Sequence, residues 1–191
     1  PQQDLLRDDD TVYYTLDNAA RMKMPAGTPA AQREARIGQV LEMLGLQRER
    51  GSLVRKLSGG QKKRLNIAVE LVADPSLFFL DEPDSGLDGV MAVSLMQNLR
   101  VIADEGKIVM VITHAPDRVA HLFDKVVVLA KSARTNSGQL AFFGTVEAAL
   151  AFFDATSMEG IVKRINRPDE NGEGLADHYI EKYARYKEGN P

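Results

Sequence analysis

The residues best suited to chemistry fall in three short runs: Ser58-Gly59-Gly60-Gln61, Asp81-Glu82 and the isolated His114. Ser58 is a strong N-cap type. Gln61, three positions on, completes the capping-box pattern, in which each side chain satisfies the other's backbone N–H. Leu65, Ala68, Val69 and Val72 follow at helical spacing, so the run predicts a helix that opens on two glycines. Glycine forms helices poorly, but a first turn without side chains lets a ligand reach bare N–H groups. Those unpaired donors, with the positive end of the helix dipole, make an anion site whose usual guest is phosphate. A Gly-rich loop before an ordinary capped helix gives the same pattern, so these four residues alone leave both readings open.

The second run ends a short apolar segment, "LFFLDEP", which predicts a buried strand delivering Asp81 and Glu82 at its C-terminal end. Ligands of open α/β sheets bind at that edge. An Asp there can hold Mg²⁺ through its water shell, and a following Glu can orient or deprotonate an attacking water. A solvated acidic turn after a core strand is the other reading. His114, in "VITHAP", closes a further predicted strand and could donate to a γ-phosphate or equally bond nearby backbone. His121 and His178 have no such placement. Lys62, Lys63 and Arg64 read as a solvated helix face; assigning them to nucleic acid is the alternative, which the acidic total disfavours.

The elements that must carry these residues can be read from spacing. Thr11 precedes an apolar-periodic helix running to about Met24 and ended by Pro25. A second helix is expected with Thr28 as cap and Pro29 in its first turn, carrying Ile37, Val40, Leu41 and Leu44 and stopped by Gly45. After the Asp81 strand, Ala92, Leu95, Met96 and Leu99 resume helical spacing. "KIVMVITHAP" and "KVVVLAK" read as buried strands, "DRVAHLF" as a short helix and "GQLAFFG" as a fourth, edge strand. Strands alternating with helices imply an α/β parallel sheet. A helix from Thr145 to Phe153, a loop around "NRPDENGEG" and a final helix striped by Ala176, Tyr179, Ile180 and Tyr183 complete the chain.

With 191 residues, 44% of them hydrophobic and 27% charged, the chain has the composition of a globular protein rather than a disordered one. A net charge of -3 argues against a broad nucleic-acid surface. Having no cysteine, it carries no disulfide framework and no thiolate metal site. Its longest apolar runs, "IVMVI" and "VVVLA", are far short of a bilayer span. The chain opens on Pro1 without an initiating Met, and reads as a piece of a longer protein.

Taken in order, "LSGGQ" (Leu57 to Gln61), "LFFLDEP" (to Pro83), "SGLD" (Ser85 to Asp88) and "THAP" resemble the signature, Walker B, D-loop and H-loop of an ABC-transporter ATPase domain. "PQQDLL" resembles the Q-loop, with Gln2 the better match to its glutamine and Gln3 the alternative. "TVYYTLDNAARMKMP", "QKKRLNIAVEL" and "GEGLADHYIEKYA" are most similar to the G subfamily and its bacterial relatives. Asp84 departs from the family, which more often shows Thr in "EPTSGLD"; it adds an acid beside the site and leaves the catalytic match intact.

The resemblance implies an α/β, partial P-loop NTPase fold: a helical subdomain followed by a mostly parallel sheet flanked by helices. Residues 1–74 would hold the Q-loop, helical subdomain and signature helix, 75–156 the core from Walker B to H-loop, and 157–191 an extension leading toward a membrane domain. It implies ATP and Mg²⁺ as cofactors, with Asp81 and Gln2 at the metal and Glu82 as general base. His114 would steady the γ-phosphate, Ser58, Gly59, Gly60 and Gln61 would meet nucleotide held by a second ATPase domain, and Asp88 would communicate across that interface. Partners would be that second domain, in a homodimer or half-transporter pair, and a transmembrane domain, with no nucleic acid. The domain would lie on the cytoplasmic face of a plasma or inner membrane and drive transport in the export direction.

No "GxxxxGK[ST]" occurs in the chain. Family order places that Walker A loop before Pro1, so the chain alone is expected to be inactive. The Asp81 strand, expected to pair with a Walker A strand, would expose an unpaired edge. A soluble ABC ATPase of translation or DNA repair is an alternative, although no sustained heptads separate Gln2 from Ser58 as a repair-type coiled coil requires. A non-catalytic interaction module on the same fold is another, against which intact Asp81, Glu82 and His114 speak.

Overall fold

The computed structural model describes residues 6–189, so Gln2 and Gln3 lie outside the described residues. The chain divides into two compact units, Pro1–His114 and Ala115–Pro191.

The first unit opens with three helices, α1 (Val12–Lys23), α2 (Ala30–Met43) and α3 (Gly59–Leu71). Thr11 caps α1 by accepting from the Tyr14 N–H at 3.1 Å, as its position predicts. The second cap differs from expectation. Pro29, not Thr28, is the N-cap of α2 and offers no side-chain bond; the Thr28 hydroxyl instead donates to the Pro25 carbonyl at 2.6 Å. A turn closed on Pro25 thus outcompetes the cap, and the helix starts one residue later. At its other end Leu46 N–H bonds Leu41 O at 2.8 Å and Gly45 N–H bonds Glu42 O at 3.0 Å, a Schellman stop that needs the positive φ of Gly45 (+63°).

The helices share one apolar core. Leu16, Ile37, Val40, Leu44, Leu65 and Leu71 are fully buried, and truncating one such leucine to alanine costs about 2–5 kcal/mol. Asp17 is buried beside this core, where Arg21 and Arg33 donate to its two oxygens at 2.8 and 3.3 Å. The chain before α1 also pairs with the approach to α3: Val12 N–H bonds Ser52 O at 3.0 Å and Val54 N–H bonds Asp10 O at 2.9 Å.

Strands β1 (Leu77–Asp81) and β2 (Ile108–Ile112) pair in parallel, Leu77 opposite Ile108 and Asp81 opposite Ile112. Between them runs α4 (Gly89–Asp104), which packs against β2 and buries Ala92, Leu95, Met96, Leu99 and Ile102. The period of two places Phe78 and Leu80 on the covered face. Leu77, Phe79, Ile108, Met110 and Ile112 lie on the open one, where Phe79 is 70% exposed. Both strands read as buried runs in the sequence, yet this face is bare.

The second unit holds α5 (Pro116–Val119), β3 (Val126–Lys131), β4 (Gly138–Gly144), α6 (Val146–Phe153), α7 (Met158–Ile165) and α8 (Ala176–Gly189). Here the expected strands form, but β3 and β4 pair antiparallel, as a two-stranded ribbon. Its inner face buries Val128, Ala130, Ala141 and Phe142 against α6 and α8, while Val127 and Leu129 point outward, so β3 is half-buried rather than buried. Tyr179 and Tyr183 of the predicted C-terminal stripe are buried, and the Tyr179 hydroxyl donates to Phe153 O at 3.0 Å. Among the described residues no helix is long and apolar enough to cross a membrane.

Candidate functional site

The start of α3 is built as the capping box predicts. Gln61 N–H donates to Ser58 Oγ at 3.3 Å, and Ser58 N–H donates to Gln61 Oε1 at 2.8 Å. Gln61 Nε2 donates in turn to Glu49 Oε1 at 2.9 Å, so the glutamine side chain is fully engaged in shaping the turn. The first intrahelical bond runs from Lys62 N–H to Ser58 O at 2.9 Å, and the amides of Gly59 and Gly60 lie ahead of it.

The two glycines differ in kind. A Cβ at Gly59 would meet nothing within 4 Å, whereas at Gly60 it would lie 2.2 Å from Met91 Cε and 3.4 Å from Leu87 Cδ2. Gly60 is buried because the Leu87–Met91 turn packs onto it, a reason of packing; Gly59 is exposed, and no neighbour demands its bareness.

Asp81 ends β1 exposed, on the same open face as Phe79. A cleft of about 1140 Å³ runs beside Asp81, Glu82 and Ser85 and reaches Asn18, Lys63 and Asn66. Glu82, just past the strand, takes a left-handed backbone (φ +47°), uncommon for a residue with a side chain. Its N–H still donates to Ile112 O at 2.9 Å, so the parallel ladder extends one residue beyond β1. Its carboxylate meets the histidine: Glu82 Oε1 and His114 Nε2 are 2.6 Å apart, with the His114 side chain 81% exposed and that of Glu82 30% exposed. The strand register is the cause, because parallel pairing of Asp81 with Ile112 brings the next residues of both strands to one edge. Asp88 is the N-cap of α4, its Oδ1 accepting from the N–H groups of Val90 and Met91 at 3.0 and 2.9 Å.

Four side-chain ties were not legible in the motifs. Lys63 Nζ reaches the backbone oxygens of Ser85 and, at 3.5 Å, of Glu82, tying α3 to the turn after β1. Its neighbours are engaged as well, Lys62 with Asp8 at 3.0 Å and Arg64 with the Leu44 carbonyl at 3.4 Å, so this run is more than a solvated face. Thr113 Oγ1 donates to Asp84 Oδ2 at 2.7 Å. The only sequence hint of this last contact was Asp84 itself, standing where the resembling family more often has Thr.

Asp81 offers hard oxygen donors at an exposed strand end, which fits Mg²⁺, an ion held by one or two carboxylates together with substrate phosphates and water. Among the described residues no three acidic, His or Cys side chains cluster as a metal site of their own. Gln2, the other expected ligand, lies outside the described residues.

Solved structures define the class. CbiO1 from Clostridium perfringens, part of the ABC transporter complex cbiONQ, superposes over 77% of this chain and 55% of its own with a TM-score of 0.65 and 29% identity. A dimeric bacterial ABC transporter cassette superposes over 66% of this chain and 55% of its own with a TM-score of 0.57 and 27% identity. The fold is that of an ABC ATPase cassette, a P-loop NTPase.

The family follows from sequence. The family described as ABC transporter matches residues 1–85, and ABC transporter G family member 26 of Arabidopsis thaliana is 36% identical over 160 residues, 81% of this chain and 22% of the relative. The chain belongs to the ATP-binding domains of ABC transporters and is of the G-subfamily type. It spans only about a fifth of the length of the curated relatives it matches, 22%, 15% and 21% for three of them.

Proposed function

We propose that this chain is the ATP-hydrolysing domain of an ABC exporter, working at the cytoplasmic face of a membrane with a second ATPase domain and a transmembrane domain. The observation that carries this reading is the pairing of Glu82 with His114 at 2.6 Å beside the exposed Asp81. Carboxylate and imidazole at one sheet edge supply a base and a phosphate-directed donor within reach of a single reacting group.

In this mechanism the amides of Gly59 and Gly60 and the Ser58 hydroxyl bind the γ-phosphate of nucleotide held by the partner domain. Asp81, with Gln2, would hold Mg²⁺, which would supply positive charge to neutralise the phosphate oxygens. Glu82 takes the proton of the attacking water. The contact with His114 fixes its carboxylate in orientation, while the exposed imidazole remains open to a phosphate oxygen. Asp88 caps α4 at the surface where the second domain docks, consistent with the dimeric state of one structural neighbour. Closure of the pair on ATP and reopening after hydrolysis drive the membrane domain.

The test uses a protein in which this chain is joined to a "GxxxxGK[ST]" loop, assayed for Mg²⁺-dependent ATP turnover against the 191-residue chain alone. Turnover is expected in the joined protein, lost on Glu82→Gln, and absent from the chain alone. Turnover indifferent to Glu82→Gln overturns the assignment of the base, and none at all in the joined protein overturns the enzymatic reading.

A further inference from the structure

The segments after β1 and β2 are fastened to each other three times. Ile112 O accepts from Glu82 N–H at 2.9 Å, Asp84 Oδ2 accepts from Thr113 Oγ1 at 2.7 Å, and Glu82 Oε1 meets His114 Nε2 at 2.6 Å. The first bond belongs to the sheet ladder and the last joins the two groups placed at the chemistry. The middle one has no part in either. It links a side chain of the turn after Glu82 to the residue immediately before His114.

The turn that presents Asp84 is itself held: Ser85 N–H bonds Glu82 O at 3.1 Å and Leu87 N–H bonds Asp84 O at 3.1 Å. Asp84 and Thr113 are both half-buried, so this bond is partly shielded from water, whereas the His114 side chain is 81% exposed. An exposed imidazole has many rotamers open to it, and ordering it costs entropy unless its backbone is fixed. The fastening one residue upstream supplies that fixed base.

We propose that Asp84 is a positioning residue which, through Thr113, sets His114 on Glu82. Chemistry explains why an aspartate serves here. Its carboxylate oxygen stands one bond further from the Cα than a threonine hydroxyl, and it is purely an acceptor, matched to the Thr113 hydroxyl as donor. This inference rests on the assignment of Glu82 and His114 made above, and its test separates the two.

The first arm uses the 191-residue chain, labelled with ¹⁵N in histidine, without nucleotide. Asp84→Ala and Thr113→Val should each displace the ring ¹⁵N and ¹H resonances of His114. Asp84→Asn, which retains an acceptor oxygen, should leave them near the parent positions, and His121 and His178 should not move. Unmoved His114 resonances in Thr113→Val and Asp84→Ala overturn the proposal, as does a common displacement of all three histidines, which marks a general loss of fold.

The second arm measures turnover in the protein joined to a "GxxxxGK[ST]" loop. Thr113→Val should lower kcat about tenfold with KM for ATP unchanged, and should cost nothing further in a His114→Ala background. An equal loss in both backgrounds overturns the proposal. If no variant turns over ATP, the enzymatic reading fails, and the resonances of the first arm still decide whether Asp84 holds His114.

Discussion

Glu82 Oε1 and His114 Nε2 stand 2.6 Å apart although 32 residues separate them, and the parallel register of β1 and β2 is what brings them together. In the assembled, nucleotide-binding protein, Glu82→Gln should lower kcat by about 10²–10⁴-fold, the usual worth of a positioned general base, and leave ATP binding in place. His114→Ala in addition should cost less than its single effect. Turnover and nucleotide-binding titrations on both single variants and the double variant check this.

Gly59 offers a cleaner separation of fold from function. A methyl group there meets nothing, and exchanging a helical glycine for alanine stabilises by roughly 0.5–1 kcal/mol where the backbone allows it. Gly59→Ala should therefore leave the thermal midpoint of the chain unchanged or raised, while lowering ATP-dependent pairing of the assembled domains. Unimpaired pairing in this variant would remove the phosphate role from that amide. Gly60→Ala should instead disturb Met91, whose flexible end can move aside, and lower stability modestly.

Ser58→Ala removes the acceptor of the capping box and should destabilise the chain by about 1 kcal/mol, the typical worth of such a cap. Urea unfolding with an unchanged slope and a lowered midpoint would register it. Ser58→Asp, which retains the cap but sets a negative charge at the proposed phosphate contact, should keep the midpoint and lose nucleotide-dependent pairing.

Acid should loosen the first unit through two carboxylates. Burial opposes ionisation of Asp17, but the hydrogen bonds from Arg21 and Arg33 outweigh it and hold the group below the ordinary carboxylate range. Asp74 is lowered chiefly by its bond from Lys107, with burial opposing and Arg36 assisting. Both groups bind their proton more weakly folded than unfolded. Their stabilisation is thus complete above the ordinary carboxylate range and fades as pH falls through the lowered folded values. Asp17→Asn should cost about 1.5–3 kcal/mol at neutral pH and flatten the acid limb of a stability profile; Asp74, more exposed, should matter less.

The open face of the β1–β2 sheet sets Phe79, Ile108 and Ile112 at 70%, 62% and 60% exposure. Contiguous apolar surface of this kind drives association. The purified chain should bind a hydrophobic dye and scatter light increasingly with concentration. A Phe79→Ser, Ile108→Thr double substitution should reduce both, with little change in midpoint because neither side chain is buried.

Much of this was legible in the sequence, for identifiable reasons. Local rules gave the cap at Ser58, the helix starts at Thr11 and Thr145, the stop at Gly45 and the strand that carries Asp81, since each depends on residues within one turn or one alternation. Thr28 misled because its hydroxyl had a better partner in Pro25 O. Helix α7, capped by Ser157 through Gly160 N–H, carries Met158, Ile161, Val162 and Ile165 at helical spacing, a signal present in the sequence that the expected elements do not include. The face exposed on β1 and β2 could not be inferred from unbroken apolar runs, which read the same whether one side or both is covered. Contacts such as Asp84 with Thr113 and Lys63 with Ser85 join residues 29 and 22 positions apart, and no spacing rule reaches that far.

The ammonium of Lys63, seated on the carbonyls of Glu82 and Ser85, ties α3 to the turn that carries Glu82. Under the proposed function, tilting α3 toward a neighbour's nucleotide would draw with it the turn that carries the proposed base of the chain's own site. In the proposed symmetric pair, the filling of one nucleotide site would thus bear on the base that serves the other.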